Sequence, residues 1–215
     1  MHYFHRKIWL VILFHLFCEL EIGYYHIMSL QSRNIYEILK APQTVFTPTL
    51  IAQITGETDR PRLTQRINYY VRMGQLKNLR KGIYAKDEYN KLELACSLYT
   101  PCYVSLQYVL QKSGVIFQYD TTITMTSYLS REIDIDNTNY SYRKIKGEIM
   151  VNMIGVENHG NINMATPERA ALDTLYLYPD FYFDNPDILN KKKVFEILPI
   201  YRNKNLEKRV AELLK

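Results

Sequence analysis

Cationic side chains are concentrated in one short segment of this chain, residues 60–86. The segment contains eight Lys or Arg residues and no Asp or Glu, although Asp59 and Asp87 flank it directly. The formal net charge of the 215-residue chain is +5, so the remainder of the chain is net acidic. A surface that only faces solvent usually mixes charges of both signs. We therefore expect the segment to bind an anionic partner.

The first half of this basic segment predicts an amphipathic helix from Pro61 to about Met73. With 100° of rotation per residue, one face of the helix collects the apolar side chains Leu63, Ile67, Tyr70 and Val71. The opposite face collects the polar, cationic and aromatic side chains Arg62, Gln65, Arg66, Tyr69 and Arg72. We expect the first face to be buried and the second to face a partner.

The side chains on the polar face are of the types that read DNA bases. Arginine can hydrogen-bond two acceptors of guanine and glutamine can do the same with adenine, so we expect Arg62, Gln65 and Arg66 to contact base edges. Arg72 lies toward the C-terminal end of the helix and is expected to contact a phosphate. The complete set of residues expected to contact DNA is Arg60, Arg62, Gln65, Arg66, Tyr69, Arg72, Lys77, Arg80 and Lys81.

Two further helices are predicted before this one. The first covers Asn34–Leu39, and the second begins at Thr47-Pro48 and ends at Gly56. Threonine can cap a helix, proline suits the first helical position, and glycine favours the left-handed conformation that ends a helix. The short connection from Gly56 to the third helix is typical of a helix-turn-helix.

A β-hairpin is predicted after the third helix. Gly74 ends that helix, and the strands Leu76–Leu79 and Gly82–Ala85 are joined through Arg80-Lys81. Three helices and a hairpin in about sixty residues predict a winged helix-turn-helix. Its wing tip would lie along the DNA backbone or in the minor groove, with Lys77 behind it.

The rest of the chain predicts a mixed α/β domain, so the expected fold class is α+β. Helices are expected at 92–97, 104–113 and 186–198, and another at 206–214. Strands are expected at 121–128 and 142–154, and a polar loop at 134–139. Thr166-Pro167-Glu168 is expected to open a further helix. The expected domains are a leader at 1–28, the winged helix-turn-helix at 29–89 and the α/β domain at 90–215.

Signals for an enzyme are weak. The sequence has no glycine-rich phosphate loop, no HExxH and no serine elbow. His159, in the run 157–161, is expected to lie in a polar turn between two strands. Glu168, Arg169 and Asp173 fit helix capping and an Arg169 to Asp173 pair as well as they fit an acid/base set. We expect no catalytic residue and no cofactor.

The cysteines and the N-terminus bear on the cellular compartment. Cys18, Cys96 and Cys102 have no paired spacing and no ligands that would complete a zinc site, so we expect no metal and a cytoplasmic location. Within 1–28, Arg6-Lys7 precedes an apolar run that is too short to span a bilayer. Three interpretations stay open: translation that begins at Met28, a peripheral helix, and a secretory signal.

Three stretches in order resemble the AbiEi family of antitoxins, from bacterial abortive-infection, type IV toxin–antitoxin systems. They are Gly74–Tyr84, Tyr103–Leu110 and Ala165–Asp173. The resemblance covers about residues 30–215. It implies a winged helix that binds inverted repeats in the protein's own promoter through Arg62, Gln65, Arg66, Arg80 and Lys81. It also implies a C-terminal domain, built in part by Thr166–Asp173, that contributes to neutralising a nucleotidyltransferase toxin.

The expected function is therefore that of a DNA-binding antitoxin and autorepressor, with paired or cooperative binding to an inverted-repeat operator. A stand-alone winged-helix regulator without a toxin partner remains open as an alternative. A second class is a nuclease or transferase subunit that the winged helix delivers to nucleic acid. A third is an interaction module whose basic face binds an acidic protein.

Overall fold

The computed structural model describes residues 34–214, and the fold is α+β. Residues 34–40 are helical, and we label this helix α1. The elements that follow it as far as residue 85 are β1 Val45–Phe46, α2 Pro48–Thr55, α3 Arg60–Arg72, β2 Lys77–Arg80 and β3 Ile83–Ala85. The predicted leader and Cys18 lie outside the described residues.

Side-chain caps fix the ends of α2 and α3. Thr47 Oγ1 accepts a hydrogen bond from the amide of Leu50 at the start of α2, and Gly56 ends that helix with φ 69°. Asp59 Oδ1 accepts from the amide of Arg62, so α3 begins at Arg60 rather than at the predicted Pro61. The predicted start and end of α2 are confirmed, because threonine and glycine act locally, whereas the cap by Asp59 was not predicted.

The first sheet has the order β1-β3-β2, and all its strands are antiparallel. Strand β1 pairs Val45 with Ala85, and β2 pairs Arg80 with Ile83 across the turn at Lys81-Gly82. The hairpin predicted from residues 76–85 is therefore present, with β2 one residue later than expected.

Two hydrophobic cores meet at this sheet. The smaller core contains the buried residues Ile35, Ile38, Phe46, Ile51, Leu63, Ile67, Tyr70 and Leu76. It therefore holds the predicted apolar face of α3. Val45, Ile83 and Ala85 belong instead to the larger core of the second half of the chain. The hairpin is consequently anchored on both cores, which restricts where its tip can point.

The second sheet has six strands in the order β6-β7-β5-β4-β9-β8. Its strands are β4 Cys102–Val104, β5 Ile123–Ser127, β6 Arg131–Ile135, β7 Thr138–Lys144, β8 Val156–His159 and β9 Ile162–Ala165. The pairs β4–β9 and β5–β7 are parallel, and the other neighbouring pairs are antiparallel. Strand β6 is an edge strand, so its side chains border solvent.

Helices surround the second sheet. They are α4 Lys91–Leu98, α5 Gln107–Lys112, α6 Gly147–Met150, α7 Pro167–Leu177, α8 Lys191–Ile197 and α9 Lys204–Leu213. Short 3₁₀ helices lie at Pro186–Ile188 and Leu198–Tyr201. Within residues 34–214, no helix is both long and apolar enough to cross a membrane.

Four predicted elements in this half are wrong in part or in whole. Val104 ends strand β4 instead of beginning a helix, and Leu106, with φ 61°, separates β4 from the short α5. The strand predicted at 142–154 ends at Lys144 and is followed by α6. Short apolar runs fit a strand or a helix equally well by periodicity, which explains these errors.

The polar loop predicted at 134–139 is the third error. These residues form the ends of β6 and β7, and only Asp136 and Asn137 lie in the turn, with φ 51° and 55°. Asp and Asn tolerate this left-handed conformation, which a two-residue hairpin turn requires. The helix predicted at 186–198 is also divided, since α8 begins only at Lys191.

A buried ion pair anchors α7 in the larger core. Arg169 and Asp173 are both fully buried, with Arg169 Nε 3.3 Å from Asp173 Oδ1. The guanidinium of Arg169 also donates to the hydroxyl of Tyr103 and to three backbone carbonyls, those of Ile149, Asn152 and Ile154. All five of its N–H groups therefore have an acceptor.

Asp173 is equally well satisfied. Besides the bond from Arg169, its carboxylate accepts hydrogen bonds from Tyr103, Ser105 and Tyr201 at 3.0, 2.8 and 2.6 Å. Burial raises the pKa of Asp173, while the charge of Arg169 opposes that rise. The predicted Arg169–Asp173 pair is present, but in the core rather than on an exposed helix face.

Candidate nucleic-acid interface

The nine residues predicted to contact DNA lie on two consecutive elements, α3 and the β2–β3 hairpin. Seven are exposed to solvent: Arg60, Arg62, Gln65, Arg72, Lys77, Arg80 and Lys81. Arg66 and Tyr69 are half-buried. The apolar side of α3 faces the smaller core, so the sequence predicted correctly which side of this helix faces solvent.

The first turn of α3 combines a cation with an acid. Asp59 caps the helix through Oδ1, and its Oδ2 lies 3.6 Å from Nε of Arg62. The side chain of Arg62 remains 72% exposed, so this surface pair holds it only weakly. Arg62 is therefore free to exchange Asp59 for another acceptor.

Arg66 is held more firmly than the sequence predicted. Its Nη1 lies 3.0 Å from Oε2 of Glu57, and the two side chains are only 26% and 11% exposed. Glu57 lies in the turn between α2 and α3, just before the acid-free segment. Arg66 must leave this carboxylate, at least in part, before it can contact a base or a phosphate.

An aromatic and a cation stack near the end of α3. The guanidinium of Arg72 lies 5.8 Å from the centroid of the Tyr69 ring, and Tyr69 meets the ring of Tyr70 edge to face at 6.0 Å. Tyr70 is buried, and desolvation raises its pKa although the charge of Arg66 lowers it. Tyr69 is therefore backed by the core and positioned beneath an exposed arginine.

The β2–β3 hairpin carries three of the predicted cations. Lys77 lies at its base, where Nζ is 2.8 Å from Oδ1 of Asp87, and the hydrogen bond to Asp87 raises the pKa of Lys77. Arg80 donates to the hydroxyl of Tyr99 at 3.1 Å and lies 5.7 Å from that ring's centroid. Lys81 is exposed in the turn.

Acids from outside the segment therefore neutralise part of it. Arg62, Arg66 and Lys77 each have a carboxylate within 4 Å. Within the part of the chain that the structure describes, the predicted cations without such a partner are Arg60, Arg72, Arg80 and Lys81. Lys86 points inward and donates to the carbonyl of Ala41 at 2.6 Å. Although residues 60–86 contain no acid, carboxylates from outside the segment lie on the same surface.

The candidate acid and base residues lie in two different surroundings, an open cleft and the buried core. Glu157 and His159 are exposed on β8, with 3.4 Å between Oε2 and Nε2. The polar turn predicted at 157–161 is confined to Gly160-Asn161, so His159 lies in a strand and not in the turn. Asp173 is fully buried and has no free oxygen. Glu157, His159 and Glu168 border one open cleft, which Asp173 does not line.

No metal site is formed by the residues that the structure describes. Residues 34–214 contain no group of three or more His, Cys, Asp or Glu side chains that could hold a metal ion. Cys96 and Cys102 are free thiols at the end of α4 and in β4. Contact with the Cys102 thiol lowers the pKa of Cys96, and contact with the Cys96 thiol raises that of Cys102.

Two residues beside the hairpin, the basic Arg131 and the aromatic Tyr99, were not among those predicted to contact DNA. Arg131, the first residue of β6, donates to the hydroxyl of Tyr99 at 3.2 Å, and Arg80 donates to the same oxygen. Tyr99 lies 19 residues and Arg131 lies 51 residues beyond Arg80. Only the fold brings them together, and no local sequence pattern marks them.

Comparison with known proteins gives a fold and no family. No protein-family model and no curated protein matches the chain. Among solved structures, the chain is similar to the crystal structure of the RV2827C protein from Mycobacterium tuberculosis, with a TM-score of 0.54 and 13% sequence identity. The match covers 86% of this chain and 76% of that one. The similarity extends to most of both chains and concerns the fold alone.

Proposed function

We propose that this chain binds double-stranded DNA through a winged helix-turn-helix made of α1, α2, α3 and the β2–β3 hairpin. In this assignment α3 is the recognition helix and the Lys81 turn is the wing tip. The order of three helices followed by an antiparallel hairpin supports it. So does the presence of Gln65 and Arg62 on the exposed side of α3, since these side chains can hydrogen-bond base edges.

The observation that carries the proposal is the distribution of cations without acidic partners. Where the structure describes the chain, Arg60, Arg72, Arg80 and Lys81 have no acid within 4 Å; they lie on α3 and the hairpin, and all four are exposed. Phosphate contacts supply most of the affinity of a DNA-binding protein, and they need cations that are free to exchange water for phosphate. A surface of this kind also fits an acidic protein, which is the competing partner.

We further propose that the protein acts as an autorepressor and antitoxin, as its resemblance to AbiEi antitoxins suggests. The third stretch of that resemblance, Ala165–Asp173, lies largely in the larger core, where Arg169 and Asp173 bond Tyr103 of the second stretch. These residues therefore stabilise the second half of the chain. Any contact with a toxin has to use other, exposed surfaces of that half.

A reporter experiment tests the regulatory part of the proposal. The DNA upstream of the protein's own gene is fused to a reporter, and the protein is supplied from a second plasmid. Repression by the wild-type protein and its loss in Gln65→Ala are expected. An unchanged reporter signal with the wild-type protein would contradict autorepression. If a nucleotidyltransferase is encoded beside the gene, rescue of growth on co-expression tests the antitoxin activity separately.

A further inference from the structure

Arg80 and Arg131 approach each other from two different sheets. Arg80 ends β2 of the first sheet, and Arg131 begins β6 at the edge of the second. Nη1 of each donates to the same oxygen, the hydroxyl of Tyr99, at 3.1 and 3.2 Å. Two guanidinium groups are thus held close together by one shared acceptor.

The position of Tyr99 is fixed by the larger core. Its ring meets the ring of Tyr142 edge to face, with centroids 4.9 Å apart and an interplanar angle of 80°. Tyr142 is itself buried, and its hydroxyl donates to the carbonyl of Ala95 at 2.7 Å. Tyr142 is also the cross-strand neighbour of Arg131 on β7. The two arginines therefore converge on a rigid support.

No acid among residues 34–214 neutralises the charges of these two arginines. Neither has a carboxylate within 4 Å in the part of the chain that the structure describes. The nearest acid along β6, Glu132, pairs instead with Arg143 at 2.6 Å. Like charges repel at short distance, and an anion that contacts both removes this repulsion. The pair is arranged to receive an anionic oxygen.

We propose that Arg80, Tyr99 and Arg131 form a clamp for one phosphodiester group of the bound DNA. Both guanidinium groups donate to non-bridging oxygens of that phosphate, because planar guanidinium groups match phosphate geometry. Tyr99 holds the two guanidinium groups side by side, and its hydroxyl can also donate a hydrogen bond to the phosphate. This inference rests on the proposed function, and it extends the DNA contact from the wing to the edge of the second sheet.

Other properties of the site favour a DNA phosphate over a free one. Arg131 and Arg80 are both exposed to solvent. An isolated ion on such an open surface is held weakly, since water competes for every bond. A phosphate on a duplex arrives with many neighbours, so even a weak contact adds to a binding energy that already exists. Burial alone would raise the pKa of Tyr99. The hydrogen bonds and charges of Arg131 and Arg80 together outweigh burial and lower this pKa.

The test measures duplex binding by the full-length protein and its variants over a range of salt concentrations. Arg131→Ala is expected to weaken binding about five- to tenfold and to reduce the magnitude of the salt slope by about 0.9. The double variant with Arg80→Ala should lose less than the product of the two single losses, because both residues hold the same phosphate. Tyr99→Phe keeps the charges of both arginines, and we expect its affinity for the duplex to fall about two- to threefold.

The matched control is Arg202→Ala, which removes an exposed arginine between the second 3₁₀ helix and α9. It should leave affinity and salt slope unchanged. Thermal unfolding of each variant confirms that it is folded, and Arg131 is exposed enough that its removal should not unfold the protein.

The outcomes separate the clamp from the proposed function. If the wild type binds duplex DNA and Gln65→Ala weakens it, but Arg131→Ala behaves like Arg202→Ala, the clamp is refuted and the winged helix stands. If the wild type binds no duplex DNA, both the proposed function and the clamp are refuted. A titration with inorganic phosphate completes the test. Saturable phosphate binding that requires Arg131, with duplex affinity unaffected by Arg131→Ala, would assign the pair to a free anion and overturn the clamp.

Discussion

Arg66 of α3 and Glu57 of the preceding turn form a half-buried ion pair, with 3.0 Å between Nη1 and Oε2. The pair joins the proposed recognition helix to the connection that precedes it. Arg66 is a predicted base reader, so the same residue contributes to the fold and to the proposed interface. The carboxylate of Glu57 competes with DNA for this arginine.

Replacing Glu57 with glutamine should strengthen DNA binding. The change removes a negative charge from the interface and releases Arg66. We expect about a two- to fivefold gain in affinity and a salt slope steeper by up to about 0.9, since the carboxylate no longer neutralises a cation at the interface. Fluorescence anisotropy with a labelled duplex measures both. Glu196→Gln, at an exposed position on α8, is the control and should change neither. Weaker binding by Glu57→Gln would show that Glu57 orients Arg66 instead.

Lys81 and Lys86 provide a matched pair of substitutions within the basic segment. Lys81 is exposed at the hairpin turn, whereas Lys86 donates to the carbonyl of Ala41 and lies 5.9 Å from the centroid of the Phe46 ring. Lys81→Ala should weaken binding to all duplexes alike and reduce the magnitude of the salt slope by about 0.9. Lys86→Ala should leave the slope unchanged and lower stability. Equal salt slopes for Lys81→Ala and Lys86→Ala would indicate that DNA binding depends on the net charge of the protein and not on the position of Lys81.

The buried Arg169–Asp173 pair should be the most sensitive point for stability. Arg169→Met leaves the carboxylate of Asp173 buried without a counter-charge and removes donors from three carbonyls. We expect a loss of about 3–5 kcal/mol in the free energy of unfolding, measured by urea denaturation. Arg202→Ala, which breaks an exposed pair, should change it by less than about 0.5 kcal/mol. A similar free energy of unfolding for the two variants would show that the buried pair contributes no more to stability than the exposed one.

Gly74 should be required for its backbone conformation alone. Its φ is 68°, and a Cβ placed there would meet nothing within 4 Å. Gly74→Ala should therefore destabilise the protein by about 1 kcal/mol through strain at the end of α3. Gly147→Ala is the control, because a Cβ there also meets nothing but φ is not positive, so little change is expected. Chemical denaturation measures the free energy of unfolding of both variants. An unchanged value for Gly74→Ala would show that alanine is not strained at this position.

The local parts of the fold could be predicted from the sequence. Thr47-Pro48 and Thr166-Pro167 each mark a helix start, and in both cases the threonine accepts the predicted kind of hydrogen bond. The two faces of α3 also follow from its 3.6-residue period. These features depend on neighbours within a few residues, which is why the sequence alone reveals them.

The parts that depend on distant residues could not be predicted. Glu57 meets Arg66 because α2 and α3 pack together, and Arg131 meets Arg80 because two sheets share one core. The burial of Arg169 depends on Tyr103 and on carbonyls of the α6 region, 15–20 residues away. In strand β6 charged and apolar residues alternate from Glu132 to Ile135, a period of two that is typical of a strand and that the loop prediction at 134–139 overlooked.

Duplex binding in solution tests the central proposal most directly. The measurement is a titration of the wild-type protein and Gln65→Ala against the duplex from upstream of its own gene and against a scrambled duplex, at several salt concentrations. We predict that the wild type prefers its own duplex by about a thousandfold or more. Gln65→Ala should reduce that preference by about five- to a hundredfold while leaving binding to the scrambled duplex unchanged. Absence of salt-dependent binding to either duplex, or an equal preference in both proteins, would contradict the proposal that α3 reads DNA.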